Sequence, residues 1–204
     1  MSGVSIFGCV GEWPRPIPPG EVWYPNFRPP PPILKRLTRS FQMHPWAVMV
    51  RSERKWLREC PVPIYTVEDL DRYNVQAKVY DLYRWAKDPW TSSFDYMVAL
   101  ALSEKLDPIR LYGIGLQMGS LRERLCEHVG LAYWIGRARG EGLDVLIDRG
   151  CWILSYPYDY GFDYWDERKW CQNLGRQARR LKVLDDGQAR PDRTVKGVSF
   201  SGRA

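Results

Sequence analysis

The chain has 204 residues, of which 45% are hydrophobic and 14% aromatic, and it carries a formal net charge of +6. This composition fits one globular domain with its own core and excludes a disordered chain. No apolar run approaches the roughly 20 residues that cross a bilayer, and the first residues lack the pattern of a signal peptide. We therefore expect a cytoplasmic protein with no membrane partner.

Five cysteines are scattered along the chain with no Cys-x-x-Cys spacing: Cys9, Cys60, Cys126, Cys151 and Cys171. An odd number of widely separated cysteines argues against a disulfide framework and against a zinc site. With only two histidines in the chain, we expect neither a metal site nor a cofactor.

The first part of the chain alternates short apolar runs with turns rich in Gly and Pro. Four runs are predicted as strands: Val4–Phe7, which leads into Gly8 and Gly11; "EVWYPN", which ends at Asn26; "SFQMH", which ends at His44; and "VPIY", which leads into Thr66. A polyproline-like spacer and a short helix separate the second run from the third. A further helix is expected from about Ala47, and "VEDL" is expected to begin a helical turn after Thr66.

A hydroxyl triplet, Thr91-Ser92-Ser93, stands before an apolar helix. Ser92 followed by Asp95 is typical of a capping box, and the helix then presents one apolar face formed by Phe94, Met97, Val98 and Ala101. Two interpretations of the triplet remain open. The hydroxyls either only cap the helix, or they and the free N–H groups of its first turn hold an anion.

A strand, a long helix and a last strand follow. Ile109–Ile114 reads as a buried strand ending in Gly113 and Gly115, and Leu143–Ile147 reads as the last strand. The helix between them, from about Leu121 to Arg139, is expected to turn one set of residues inward: Leu121, Leu125, Val129, Ala132, Tyr133 and Gly136. Strands that alternate with helices predict an α/β fold with a Rossmann-like, mostly parallel sheet and helices on both faces.

Ligands of such sheets bind at the carboxyl ends of the strands, near the point where the strand order reverses. The residues that follow the predicted strands would line this crevice: Gly8, Gly11, Asn26, His44, Thr66, Gly113 and Gly115. The Gly8–Gly11 pair is either a turn or a loop that approaches a phosphate. His44 is either a structural hydrogen-bonding residue or the candidate catalytic residue.

The last 40 residues are basic and follow different patterns. Residues 165–204 hold ten Lys or Arg against five acids, which leaves only +1 for the rest of the chain. We predict a domain over residues 1–164, followed by a basic amphipathic helix and a flexible tail over 165–204. This tail could bind nucleic acid through phosphates, but a solvated helix face is the favoured interpretation because acids are interspersed with the basic residues.

An ordered set of motifs resembles a family of small phage-encoded Rossmann-like proteins of unassigned function. The set covers about residues 4–161 and comprises "EVWYPN", "SFQMH", "TSSFDYMVALAL", "IRLYGIGL" and "GLAYWIGRARGEGLDVLI". More remotely, the plan is similar to the nucleotide-sugar-binding core of sialyltransferase-like glycosyltransferases and to MptE-like pyrophosphokinases. The family-like strand usually ends Gly-Ile-Asp, whereas this chain has Gly113-Ile114-Gly115, and the first loop has Glu12-Trp13 in place of the expected Ser.

The resemblance implies a protein that binds a nucleotide or nucleotide sugar in the host cytoplasm, with a glycosyltransferase-like transferase as one option. It implies ligand contacts at Gly8, Gly11, Asn26, Thr91, Ser92, Ser93 and Gly113, with His44 as the polar group nearest any chemistry. The acid missing at Gly115 keeps a second option open. That option is a non-enzymatic binder that sequesters a host nucleotide signal or occupies a host protein.

Overall fold

The computed structural model describes residues 3–10, 13–80, 87–116, 121–148, 150–151 and 153–154. Seven strands lie within them: β1 (Val4–Phe7), β2 (Glu21–Pro25), β3 (Arg39–Gln42), β4 (Ile64–Thr66), β5 (Lys78–Val79), β6 (Ile109–Tyr112) and β7 (Val145–Ile147). They form one sheet in the order β5-β4-β3-β2-β1-β6-β7, and every neighbouring pair is parallel. The predicted α/β fold with a Rossmann-like sheet is thus confirmed.

The strand order reverses at β1, which pairs with β2 on one side and with β6 on the other. All four residues of β1 are buried. Val4 and Ile6 place apolar side chains on one face and Phe7 places one on the other, which suits a central parallel strand because helices cover both sides of it. The carboxyl ends of β1 and β6 therefore meet at the switch point of the sheet.

Helices cover both faces of the sheet. The described helices are α1 (Pro31–Leu34), α2 (Arg51–Glu59), α3 (Ser93–Ser103) and α4 (Leu121–Gly140), and 3-10 turns occupy Trp46–Val48 and Asp71–Tyr73. On one face, α3 and α4 bury residues against Val4, Ile6 and Leu111. On the other, α1 and α2 contribute Ile33, Trp56 and Leu57 to a core that includes Phe7. The period-2 alternation of side chains along β1 thus supplies both cores.

The buried face of α4 differs from the predicted one. Leu125, Val129 and Tyr133 are exposed by 60%, 70% and 40%, whereas Leu131 and Trp134 are fully buried. Gly130 packs against Thr91 and Asp95 beside the first turn of α3. The nine residues of α4 before Gly130 therefore extend past the start of α3, and the side chains of Leu125 and Val129 do not reach the core that α3 and α4 share.

Smaller differences concern the ends of elements. The third strand stops at Gln42 rather than at His44, because the Gln42 side chain accepts the backbone N–H of His44 at 3.1 Å. The turn expected at "VEDL" occurs later, at Asp71–Tyr73, and the two-residue edge strand β5 was not predicted. Both residues of β5 are exposed, so β5 carries no hydrophobic pattern that would predict it.

The predicted segment 165–204 lies outside the described residues. Among those that the structure describes, no helix is long and apolar enough to cross a membrane.

Candidate functional site

The loops after β1 and β6 pack directly against each other at the switch point. The Gly8 N–H donates to the Tyr112 carbonyl at 2.7 Å, and the Val10 N–H donates to the Gly113 carbonyl at 3.0 Å. A Cβ at position 8 would lie 2.3 Å from the Gly113 oxygen, and one at position 113, where φ is +59°, would lie 2.1 Å from the Val10 oxygen. The close contact between the two loop backbones is therefore sufficient to require glycine at both positions, without any role in ligand binding. Gly11 lies outside the described residues.

The first two residues of the hydroxyl triplet, Thr91 and Ser92, surround the carboxylate of Asp95, which is fully buried. Thr91 donates to Oδ2 from its N–H at 2.6 Å and from its hydroxyl at 2.8 Å. Ser92 donates its N–H to Oδ2 at 3.0 Å and its hydroxyl to Oδ1 at 2.7 Å. The predicted capping box is confirmed, with Ser92 as the N-cap of α3. Four donors that an anion could use at this helix start thus already bind a carboxylate of the protein.

Asp95 interacts electrostatically with Glu127 of α4. Burial raises the pKa of Asp95, although the hydrogen bonds from Thr91 and Ser92 oppose the increase. Burial, together with the nearby carboxylates of Glu123 and Asp95, also raises the pKa of Glu127 to about 7. A phosphate placed at Thr91 and Ser92 would lie beside the Asp95 carboxylate that these residues already bind, so the local electrostatics disfavour an anion here.

The third hydroxyl of the triplet points to a different partner. The Ser93 hydroxyl donates to Oδ1 of Asn26 at 3.2 Å, which joins the start of α3 to the carboxyl end of β2. Asn26 takes a positive φ of 61°, a backbone conformation that Asn tolerates better than most residues. Two of the predicted site residues, 67 positions apart in the sequence, therefore meet at the carboxyl edge of the sheet.

A second polar group lies at the carboxyl end of β3. The Nδ1 atom of His44 is 2.9 Å from Oε1 of Gln42 and 3.9 Å from Oε1 of Glu53. Gln42 and Glu53 are buried, and Nε2 of Gln42 lies 3.4 Å from the Asn26 carbonyl and 3.4 Å from Oε1 of Glu53. The Gln42 amide therefore links Asn26, His44 and Glu53 into one network.

The hydrogen bonds of Gln42 fix the form of the His44 ring. Since the amide nitrogen of Gln42 faces two acceptors, its Oε1 is the atom that accepts from His44. In neutral His44, Nδ1 then carries the proton, and Nε2 is the unprotonated ring nitrogen. The side chain of His44 is 49% exposed. A half-exposed imidazole held in one tautomer can accept a proton from a bound molecule.

The sequence did not identify Gln42 and Glu53 as part of this site. Gln42 is the one polar residue in the buried stretch from Phe41 to Met43, which is the signal that could have identified it. Glu53 is a first-turn acid of α2 that accepts the Val50 N–H at 2.7 Å, so its sequence context predicts only a helix start. Nothing local indicates that its other oxygen reaches β3.

The remaining predicted crevice residues are buried. The hydroxyl of Thr66 donates to the Glu68 carbonyl at 2.7 Å, and Gly115 is buried beyond the end of β6. In the part of the chain that the structure describes, no group of three or more His, Cys, Asp or Glu side chains could hold a metal ion.

The sheet and its carboxyl edge define the class: this is a parallel α/β protein with a Rossmann-like arrangement. Comparison with models of protein families, with curated proteins and with solved structures found no match for this chain.

Proposed function

We propose that the protein binds a nucleotide or a nucleotide sugar at the carboxyl edge of its sheet. The observation that carries the proposal is the contact between Asn26 and Ser93 beside the Gln42 network. The contact gathers amide, hydroxyl and imidazole groups next to the strand ends where parallel α/β sheets bind ligands. The resemblance to phage Rossmann-like proteins and nucleotide-sugar enzymes supports the same class of ligand.

The chemistry of this edge suits the neutral parts of such a ligand. Asn26 and Ser93 offer one amide and one hydroxyl, which pair with ribose or sugar hydroxyls and with base edges. The Asp95 carboxylate, which already accepts hydrogen bonds from Thr91 and Ser92, disfavours a phosphate at that helix start. We therefore assign sugar or base recognition to Asn26 and Ser93, and no phosphate contact to Thr91, Ser92, Gly8 or Gly113.

His44 supplies the group for a transfer reaction, should the protein be a glycosyltransferase relative. Its Nε2 would take the proton of an acceptor hydroxyl while that oxygen attacks the anomeric carbon of the bound sugar. The bond from the anomeric carbon to the phosphate oxygen would break, and the nucleotide would leave with the electron pair. This assignment rests on the Nδ1 contact to Gln42, which leaves Nε2 as the basic nitrogen.

A non-enzymatic binder that sequesters a nucleotide signal is the second candidate. Two observations favour it. Gly115 stands where the resembling family has an acid. Asp95 and Glu53 already accept hydrogen bonds from the protein's own donors. The two candidates differ in the fate of the ligand. A binder returns the ligand unchanged after long incubation, whereas mass spectrometry detects a new product if the protein is a transferase.

Thermal denaturation of the full chain with a panel of nucleotides and nucleotide sugars tests the binding itself. A ligand that binds the native state raises the melting temperature, and Asn26→Gly should abolish the increase because it removes the amide while tolerating the positive φ. Asn74→Gly is the matched control, since Asn74 also has a positive φ, of 58°. No stabilisation by any member of the panel would refute nucleotide binding. An equal shift in the Asn26→Gly variant would refute the site.

A further inference from the structure

A basic cleft lies along α2, on the face of the sheet that α1 and α2 cover. It has a volume of about 480 Å³ and is lined by Trp46, Arg51, Arg54, Lys55, Arg58, Glu59 and Tyr73. The volume falls within the roughly 300–1,000 Å³ typical of small-molecule sites. Four cationic residues and one acid give this lining an excess of three positive charges.

The spacing of the sequence collects these charges on one side of the helix. Arg51, Arg54, Lys55 and Arg58 stand at positions i, i+3, i+4 and i+7 of α2, which form a single helical face. The opposite side buries Trp56 and Leu57 in the core. The one acid, Glu59, lies 3.8 Å from Lys55. Arg51, Arg54 and Arg58 thus share a face with Glu59 as the lining acid, and Glu59 pairs with Lys55. A bound anion would stabilise the resulting excess of positive charge.

Two stacked aromatic rings hold the arginines in place. Trp46 and Tyr73 stack with centroids 4.1 Å apart and planes at 8°. The guanidinium carbons of Arg54 and Arg58 lie 5.2 and 5.1 Å from the Trp46 ring, and that of Arg72 lies 4.6 Å from the Tyr73 ring. Guanidinium groups held on aromatic faces lose less entropy when they bind an anion. Because the ring faces are covered, the cleft recognises charge and offers no open surface for stacking a base.

One N–H donor of Arg54 has no hydrogen-bond partner among the described residues. Its Nη2 donates to the Trp46 carbonyl at 2.9 Å, which fixes the guanidinium against the floor of the cleft. Its Nε–H is buried and has no hydrogen-bond partner among the described residues. A buried unpaired donor costs free energy, so a small shift of the Arg54 side chain that lets an anion oxygen reach this N–H would be favourable.

We propose that the basic cleft binds a compact polyphosphate, such as inorganic tripolyphosphate or the phosphate chain of a nucleotide. The charge excess matches a ligand with several negative charges, and fixed arginine forks match phosphate oxygens. A long polyanion is disfavoured, since the exposed acids Asp69 and Asp71 precede Tyr73 in the segment that borders the cleft. The proposal does not depend on nucleotide binding at the carboxyl edge.

Isothermal titration of the full chain with sodium tripolyphosphate and with ATP tests the proposal. Arg51 and Lys55 are exposed, so the double variant Arg51→Gln/Lys55→Gln should fold normally. We expect it to weaken tripolyphosphate binding about tenfold or more, because two charge-assisted contacts are lost. The control Lys35→Gln/Arg36→Gln removes two exposed charges outside the cleft and should change affinity less than about twofold. Equal loss in the two double variants, or no binding to the wild type, would overturn the proposal.

A gain of affinity provides an independent measurement. Glu59→Gln removes the acid found among the described residues of the lining and releases Lys55, so it should tighten tripolyphosphate binding about threefold. Glu141→Gln is the matched control, because Glu141 is also the acid of an i,i+4 pair, with Arg137 at 3.3 Å, but lies on α4. An unchanged affinity in the Glu59→Gln variant would contradict a ligand in this cleft.

Further titrations identify the source of the phosphate and separate the two sites. Equal affinity for tripolyphosphate and ATP indicates recognition of the phosphate chain alone. A single-stranded oligonucleotide of about 12 residues that binds more tightly than either, and loses affinity in the Arg51→Gln/Lys55→Gln variant, would replace the compact ligand with a nucleic acid. Asn26→Gly should leave tripolyphosphate binding unchanged, so a failure of either proposed site can be recognised separately.

Discussion

The two edges of the sheet are built from different chemistry. At the amino edge, Arg39 forms ion pairs of 2.7 Å with both Glu21 and Glu104, and its guanidinium lies over Trp23 and Tyr65 at 4.9 and 5.5 Å. At the carboxyl edge, neutral hydrogen bonds join Ser93 to Asn26 and His44 to Gln42. Helix α3 spans both edges, with Ser93 at its start and Glu104 as its C-cap.

The difference separates a structural edge from a binding edge. Burial alone would raise the pKa of Glu21, but hydrogen bonds from Trp23 and Arg39 lower it overall. The charges of the amino edge are therefore already matched to one another. The carboxyl edge holds amide, hydroxyl and imidazole groups whose capacity for hydrogen bonds is only partly used. Substitutions of Arg39 and its partners at the amino edge should thus affect stability, whereas those of the accessible groups at the carboxyl edge, Asn26, His44 and Ser93, should affect ligands.

Gly130 is expected to give the largest effect, because it fixes how α4 meets the start of α3 at the carboxyl edge. In Gly130→Ala the new Cβ would lie 2.0 Å from the Thr91 hydroxyl and 2.6 Å from Oδ2 of Asp95. We expect the free energy of unfolding to fall by about 3 kcal/mol through overpacking, measured by urea denaturation.

Gly136 provides the matched control on the same helix. No neighbouring heavy atom lies within 4 Å of a Cβ built there. Gly136→Ala should therefore raise the stability by about 1 kcal/mol through helix propensity alone. Similar losses in the two variants would mean that packing at Gly130 is not what holds α3 and α4 together.

Substitutions of Arg39 and Glu104 test whether the ion pairs of the amino edge serve stability. Arg39→Met leaves Glu21 and Glu104 without their cation, and we expect a loss of about 2 kcal/mol, since the three side chains are only partly exposed. Glu104→Gln removes only the outer ion pair and should cost less than about 1 kcal/mol. Ligand binding at the carboxyl edge should be unaffected in both variants. If Arg39→Met abolished a nucleotide-induced thermal shift while the protein remained folded, the division between the edges would be wrong.

Glu127 should make stability depend on pH near neutrality. Burial and the carboxylates of Glu123 and Asp95 raise its pKa to about 7 in the folded protein, above its unfolded value. The folded state therefore binds the proton more tightly, and stability is lost as the pH rises towards 7. Because Glu127 is only half-buried, we expect a loss of about 1 kcal/mol between about pH 5 and about pH 8.

In urea denaturation over the same pH range, the Glu127→Gln variant should not show this loss of stability with rising pH. In Glu123→Gln the loss of stability should occur at lower pH, since the substitution removes one of the carboxylates that raise the pKa of Glu127. Wild type and Glu127→Gln with identical pH dependence would show that Glu127 titrates normally.

The smallest effect on stability is expected at His44. Its side chain is half-exposed, so His44→Ala should change the free energy of unfolding by less than about 0.5 kcal/mol. Gln42→Ala should cost more than about 1 kcal/mol, because it leaves buried partners unsatisfied. A large destabilisation by His44→Ala would indicate a structural role and remove the argument for proton transfer.

Much of this architecture was predictable from local patterns. The apolar run Val4–Phe7 indicated a buried strand, and the pair Ser92 and Asp95 indicated a helix start. Both signals come from short-range physics: side-chain periodicity and hydrogen bonds within one turn. The contact of Asn26 with Ser93 was expected only in outline, since a shared edge follows from strand polarity while the hydrogen bond requires an exact approach of distant segments.

The sequence by itself determined the alternation of strands and helices, and hence the parallel sheet, because periodicity and turn residues act over a few positions. Only the tertiary structure decided what Gly8, Gly113 and the Thr91-Ser92 pair do. Loop packing brings the two glycines against Tyr112 and Val10. Helix packing places the two hydroxyls and buried Asp95 beside Gly130. The same packing extends α4 beyond α3 and exposes Leu125 and Val129, which helical periodicity alone would bury.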